Sequence, residues 1–302
     1  MWTGARTAWR IVPRHVKWRV LRIVVTLLVG LAGGVACLGR VLPAPWATAG
    51  STTLLGGVLL TGLYAGWCLW PRVRVGIRDD LRMDLPCPAD QPVRLSFDDG
   101  PTPGLTDTVL DLLRQHRVQA TFFVLTHKAR RCPELLRRIV AEGHGLGLHG
   151  EDHRVALFRS ADALQASLQR ARDELATLSG QPITLYRPSH GWKNRALLRA
   201  LRRVGLRLVF WDYGVWDTDN PPVSALLQRL RWATAAQQEN HPAPMILLHD
   251  GRDDVCAVPA HAPALLAALS EWLPSLAQRV EKGSEEPKMQ RGGAARPTGR
   301  QD

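Results

Sequence analysis

From Pro92 onward short apolar runs alternate with segments of helical period, and this alternation restricts the possible folds more than any other feature of the chain. The runs "PVRLSF", "QATFFVL", "GLGL", "ITLY", "LRLVFW" and "PMILL" read as strands. The segments Thr106–His116, Pro133–Glu142, Ala161–Leu178, Asn194–Val204, Val223–Gln238 and Pro259–Val280 read as helices. Strands separated by helical segments imply βα units, so the fold class is α/β with a parallel sheet or barrel.

The polar residues that look chemical fall at the ends of these strands. "DDG" follows the first run, "HGEDH" the third, "RPSHG" the fourth, "DYGVWDTD" the fifth and "HDG" the sixth. In parallel α/β folds the carboxyl ends of the strands share one face, and sites are built there. Five distant motifs should therefore converge, which is the pattern of an enzyme.

The first ninety residues are different in kind. Ile23–Gly39 is an uncharged apolar run of seventeen residues, and Trp46–Trp70 is a second of twenty-five. Crossing a bilayer as a helix takes roughly 17–25 residues, so the pair reads as a transmembrane hairpin with Pro43 and Pro45 in its turn. Arg6, Arg10, Arg14, Lys17, Arg19 and Arg22 precede it without an acid, and Arg72, Arg74, Arg78 and Arg82 follow it. The positive-inside rule puts both flanks in the cytoplasm, giving a protein of the plasma membrane with its large domain on the cytoplasmic side. The rival is a signal peptide or single anchor with the domain exported, for which "ATAG" offers a small-residue cleavage site after Ala49. The expected organisation is a basic N-terminus 1–22, a hairpin 23–70, a linker 71–90, a catalytic domain 91–281 and a disordered tail 282–302.

The net charge of +12 suits an anionic membrane face. It does not point to nucleic acid, because the basic residues are spread widely and form no stripe studded with aromatics. Five cysteines without a CxxC pair indicate neither a disulfide framework nor a cysteine metal site. The pattern Gly-x-Gly-x-x-Gly does not occur after a strand and there is no phosphate loop; no Gly-x-Ser-x-Gly elbow is present, which argues against a serine esterase.

His149 and His153 are four residues apart and could approach one divalent ion from successive helical turns or from a tight loop. Asp98 and Asp99 follow the first strand directly, and successive side chains diverge. One of the two acids can join the histidines as a third ligand while the other faces the attacking water, which is the layout of a hydrolytic metal site. The bland alternative for "DDG" is a turn with a helix cap. His249, ending the sixth run, is either a surface histidine or a general acid held charged by a carboxylate such as Asp217. His116, His127, His144, His241 and His261 read as solvated or structural.

The ordered set "SFDDGPTPGLTDTVLDLLRQHRVQATFFVL", "HGEDH", "YRPSHGW", "WDYGVWDTD" and "ILLHD" resembles the polysaccharide deacetylases of carbohydrate esterase family 4, the NodB-homology domain, over roughly Pro92 to Gly251. The resemblance implies a distorted (β/α) barrel and metal-dependent removal of acetyl groups from N-acetylated sugars. By that resemblance Asp98 is the catalytic base, Asp99, His149 and His153 hold the metal, with zinc expected, and Arg187 orients the base. His190 stands where a backbone N–H helps hold the oxyanion, Asp217 tunes the catalytic histidine, and His249 is the general acid. Departures are Ser96, Gly150 where Ser or Thr is usual, Ser189 for proline, and Thr218 where a tryptophan often lines the acetyl pocket. Glu151 and Asp152 add charge near the metal histidines. Lys193, just after the oxyanion motif, could reach an anionic group on the substrate. A cytoplasmic domain would point to a lipid-linked or nucleotide-linked sugar, an exported one to peptidoglycan or exopolysaccharide. The competing class is a non-catalytic, metal-containing carbohydrate-binding or scaffold protein on the same fold, and it would need neither Asp98 nor His249.

Overall fold

The computed structural model describes Gly57 and residues 91–154, 159–235 and 243–285. The basic N-terminus, the hairpin (Gly57 apart) and the linker therefore lie outside the described residues, as does the tail beyond Glu285. Among the described residues no helix is long and apolar enough to cross a membrane.

Seven strands build one sheet: β1 (Arg94–Gly100), β2 (Ala120–Leu125), β3 (Gly145–Gly150), β4 (Leu185–Tyr186), β5 (Arg207–Leu208), β6 (Tyr213–Gly214) and β7 (Met245–His249). The helices are α1 (Leu105–Gln115), α2 (Thr126–Ala129), α3 (Pro133–Ala141), α4 (Ala161–Ser179), α5 (Arg195–Val204), α6 (Val223–Ala235) and α7 (Ala262–Glu285). The order across the sheet is β5-β4-β3-β2-β1-β7-β6, and every ladder is parallel. The sheet curls into a half-barrel, so the expected α/β barrel is present in open form.

The open seam has a local cause. "LRLVFW" reads as one strand, but only Arg207–Leu208 pairs, and the chain then reaches the opposite edge of the sheet within a few residues. A parallel crossover needs a dozen residues or more, so β5 and β6 cannot become neighbours through this link. The irregular segment spans the gap instead. Val209 N donates to Tyr186 O at 2.8 Å on one side, and Asp212 N donates to Met245 O at 2.8 Å on the other.

Both faces of the sheet are covered, which is why its strands read as continuous apolar runs; all six residues of β2 are buried. Alternation still divides them into two cores. Phe97, Phe122, Leu146, Leu148, Ile246 and Leu248 face the helices, against Leu110, Leu136, Leu269 and Trp272. Phe123, Leu185, Val209 and Met245 face the barrel interior. The helices follow their apolar stripes, and side chains mark several starts: Ser160 Oγ accepts from Ala163 N, and Asn194 Oδ1 from Leu197 N. The last helix runs to Glu285, past position 282 where a disordered tail was expected to start.

The interior is tight at β3. A Cβ on Gly147 would sit 2.6 Å from the Phe123 ring and 3.2 Å from Leu185 Cβ. Gly147→Ala should therefore displace the Phe123 ring and destabilise the domain by about 1–3 kcal/mol, read as a lower urea midpoint.

Candidate active site

Two strand irregularities aim the central residues. Along β1, Asp98 pairs with Phe123 and Gly100 with Val124, leaving Asp99 as the extra residue of a bulge. Along β3, Leu148 pairs with Val124 and Gly150 with Leu125, leaving His149 as the extra residue. Bulges re-aim side chains at strand ends, and these two turn toward each other. His149 Nε2 and His153 Nε2 each lie 3.2 Å from Asp99 Oδ1. Of the two approaches the sequence leaves open for the histidines, the loop applies: His149 ends a strand and His153 sits in the bend after it.

Asp99 holds a left-handed backbone, φ 71°, which costs a non-glycine residue about 1–3 kcal/mol. Its surroundings fix it there. The buried Lys128 Nζ donates to Asp99 O at 2.7 Å, and Asp253 N donates to Asp99 Oδ2 at 3.1 Å. Burial pushes the Asp99 carboxyl up, but the His149 and His153 imidazoles that face it, with the charge of His249 behind them, outweigh burial and hold it far below the usual carboxylate range.

The trio fits a metal ion. One ligand atom from each of Asp99, His149 and His153 lies within 4.8 Å of the others. Asp99 Oδ1 is buried and has no hydrogen-bond partner among the described residues, an orphaned acceptor that a cation would satisfy. Two imidazoles and a carboxylate are a donor set suited to divalent first-row ions.

Asp98 stays in register and points inward. Arg187 Nη1 donates to Asp98 Oδ1 at 2.7 Å and to Ser96 Oγ at 2.9 Å. Arg187 has no exposed surface, and its guanidinium carbon stacks 3.9 Å from the Phe123 ring centre. Across the β1–β7 ladder Asp98 is paired with His249. Asp217 grips His249 with both oxygens: Oδ1 lies 2.9 Å from Nδ1, and Oδ2 accepts from the backbone N at 2.8 Å. A carboxylate only accepts, so Nδ1 carries a hydrogen. Burial works against a charged His249, but Asp217 overcomes it and raises the imidazole to about 10. His261, fully buried, sits with Nε2 3.2 Å from His249 O, a structural place as expected.

A cleft of about 270 Å³ opens over these groups, walled by Trp211, Trp216, Thr218 and Leu247, with His190 and Gly191 at its lip. His190 has φ 59°, and its ring lies 4.4 Å from that of His153. Lys193 is a correction. It is 0% exposed, its Nζ is 5.1 Å from the Phe210 ring centre, and it does not line the cleft. With no exposed surface, it does not present its ammonium to a substrate in the cleft. Glu151 turns away from the metal trio and pairs with Arg130. Gly150, in place of Ser or Thr, has φ 132°, where a side chain would be strained and its Cβ would lie 2.9 Å from Asp152 O.

Sequence reasoning passed over Lys128, Asp250 and Asp253. Asp250 stood in the quoted "HDG" motif. It is fully buried, Thr106 Oγ1 donates to it at 2.7 Å, and burial raises its carboxyl to about 7. Asp253 follows that motif, and only its acidity marked it. Lys128 lies in a helix with no chemical motif, so no sequence signal singled it out.

Thirty per cent identity over 186 residues relates the chain to the peptidoglycan-N-acetylglucosamine deacetylase of Bacillus cereus, spanning 61% of this chain and 81% of that protein. The chitooligosaccharide deacetylase of Rhizobium leguminosarum bv. trifolii is 30% identical over 194 residues, 63% of this chain and 87% of that one. The family model for polysaccharide deacetylase matches residues 86–209.

The chain belongs to the polysaccharide deacetylase family.

The solved family 4 carbohydrate esterase from Streptomyces lividans, in complex with acetate, superposes with a TM-score of 0.52 at 29% identity, covering 66% of this chain and 91% of that one. A family 4 pseudoenzyme from Bacillus anthracis shares the fold, with a TM-score of 0.53 at 19% identity. Fold alone therefore does not separate enzyme from pseudoenzyme, and the argument for catalysis rests on side chains.

The paired charges make a testable contribution to stability. The raised His249 value means its share is complete below pH 6.5 and is lost as the pH rises through about 10. For Asp217, burial raises the carboxyl but the His249 charge outweighs burial and lowers it, so its share is present above pH 3.8 and is lost on acidification below that. Asp217→Asn should cost about 3 kcal/mol at pH 7, the scale of leaving a buried charge without its partner. The gap from wild type should narrow as the pH approaches 10, measured by urea unfolding at both pH values.

Proposed function

We propose that this protein is a membrane-anchored hydrolase that removes acetyl groups from an N-acetylated saccharide. The observation that supports it most is the β1–β7 register, which sets Asp98 opposite His249 beside the Asp99–His149–His153 trio. Binding a sugar requires neither a carboxylate aimed at the metal trio nor a histidine held charged by Asp217, so the scaffold reading leaves the placement of Asp98 opposite His249 unexplained.

Asp99, His149 and His153 would hold the ion, with zinc the best match to a three-ligand site that leaves a position open. Such an ion supplies Lewis acidity, polarising the acyl carbonyl and acidifying the attacking water. Asp98, aimed by Arg187, removes the proton from that water as attack proceeds. An amine leaves poorly unless protonated, and His249 Nε2 delivers that proton, since Nδ1 is committed to Asp217. Asp217 keeps the imidazole charged between turnovers, so the acid is ready at neutral pH. The backbone N–H of His190 suits a developing oxyanion, and Trp211 and Trp216 wall the cleft.

Asp98→Asn and His249→Ala should keep the metal yet lose about 10²–10⁴-fold in turnover, the usual range for a general base or acid. His149→Ala should lose metal and activity together. Metal analysis and acetate release on the purified variants check this, and wild-type rates in either Asp98→Asn or His249→Ala would remove its assigned role.

The substrate class is inferred from relatives named for chitooligosaccharide and for peptidoglycan N-acetylglucosamine. The uncharged apolar runs Ile23–Gly39 and Trp46–Trp70, read from the sequence as a transmembrane hairpin, favour a sugar presented at the plasma membrane, with the domain on the cytoplasmic side and the carrier a lipid. The burial of Lys193 withdraws the one side chain offered for an anionic carrier. Acetate release from a lipid-linked N-acetyl sugar should exceed release from chitin oligomers and peptidoglycan; preference for the polymers refutes the lipid carrier and leaves the deacetylase reading standing.

A further inference from the structure

The turn after β7 touches the metal trio at several points. Asp253 Oδ1 lies 2.8 Å from His153 Nδ1. The Asp253 backbone N donates to Asp99 Oδ2 at 3.1 Å, and Asp254 Oδ1 accepts from His153 N at 2.8 Å. The turn closes on itself through Val255 N to Arg252 O at 3.0 Å, and Arg252 Nη1 ties it to Thr218 O at 3.0 Å. Asp253 adopts φ 42° to make its two contacts. An unusual backbone conformation that joins two neighbouring ligands is a reason to look for function there.

We infer that Asp253 is a positioning residue for metal binding, fixing the tautomer of His153 and the rotation of Asp99; this rests on the metal-site reading above. A neutral imidazole has one N–H and one lone pair. The Asp253 carboxylate can only accept, so the hydrogen goes to Nδ1 and the lone pair to Nε2, the nitrogen 3.2 Å from Asp99 Oδ1. The opposite tautomer would put N–H toward the ion and offer it no electrons. The backbone bond acts in the same direction on Asp99, engaging Oδ2 and leaving Oδ1 toward the histidines. His149 lacks this aid: its Nδ1 is buried and has no hydrogen-bond partner among the described residues. The two histidines are therefore inequivalent, and the oriented one is His153. The Asp253 side chain is 55% exposed, so substituting it disturbs little packing.

The test measures Zn²⁺ affinity of the full-length protein by competition with a chromophoric chelator, alongside the Co²⁺ absorption spectrum and apo-protein thermal unfolding. Loss of an outer carboxylate from a metal histidine typically weakens binding about 10–100-fold. That loss is expected for Asp253→Ala, with a smaller loss for Asp253→Asn, an altered Co²⁺ spectrum, and recovery of most of the affinity in Asp253→Glu. Apo-protein unfolding should be unchanged in Asp253→Asn, which suits the same left-handed backbone, because the side chain acts on the ligand and not on the fold. Wild-type Zn²⁺ affinity in Asp253→Ala or Asp253→Asn overturns the inference, as does lowered apo stability in Asp253→Asn with affinity intact. His149→Ala serves as the control. If it abolishes binding while Asp253→Ala binds normally, only this inference fails. If the wild-type protein takes up no Zn²⁺, the metal-site reading fails and the inference with it.

Discussion

A guanidinium with no exposed surface must have its charge answered and its N–H groups filled by its own chain, and the interior of the half-barrel is arranged around that demand at Arg187. Asp98 supplies the countercharge, Ser96 Oγ and the carbonyls of Val209 and Phe210 accept further N–H groups, and Phe123 covers one face. These partners come from β1, β2 and the irregular segment after β5. The ion pair therefore fastens that segment across the open seam of the sheet and, in the same contacts, sets the direction of the Asp98 carboxylate. A change at Arg187 would leave a buried carboxylate unpaired and the seam loosened together.

Beside this rigid pair, the Asp99 cluster is built on irregularity. Adjacent acids on a regular strand would face opposite sides of the sheet. The bulge at Asp99 breaks that rule and lets Asp98 serve one purpose while Asp99 meets His149, itself bulged, from two strands away. The left-handed Asp99 backbone is tolerated because Lys128 and Asp253 hold it from two sides. The third centre, His249 with Asp217, is again regular in placement, held by ladder register and a two-point carboxylate grip. Proton transfer and metal binding thus rest on different structural devices within one cleft.

Much of this was legible in order along the chain. The alternation of apolar runs and helical segments located six of the seven strands, because strands buried on both faces must be continuously apolar. It missed Tyr213–Gly214, whose two residues bear no pattern, and it read Val209–Trp211 as strand, because apolar residues that bridge a seam look like apolar residues in a ladder. The motifs brought Asp98, Asp99, His149, His153, Arg187, Asp217 and His249 to one site. Lys193 failed because its position in the motif said nothing of burial: a lysine beside a helix start reaches solvent or core according to what packs over it.

By itself the sequence determined the class of fold, the end of the sheet where chemistry gathers and which residue types gather there, since these follow from periodicity and from the shared polarity of parallel strands. Only the tertiary structure decided which of two adjacent acids meets the histidines, which histidine nitrogen faces that acid, and that Asp253, Asp250 and Lys128 belong to the same network. Those outcomes depend on bulges, on turns that return from distant segments and on which side chains are covered. Each is a balance of strain against contacts made only when the chain has closed on itself, and no local stretch of sequence contains both sides of that balance.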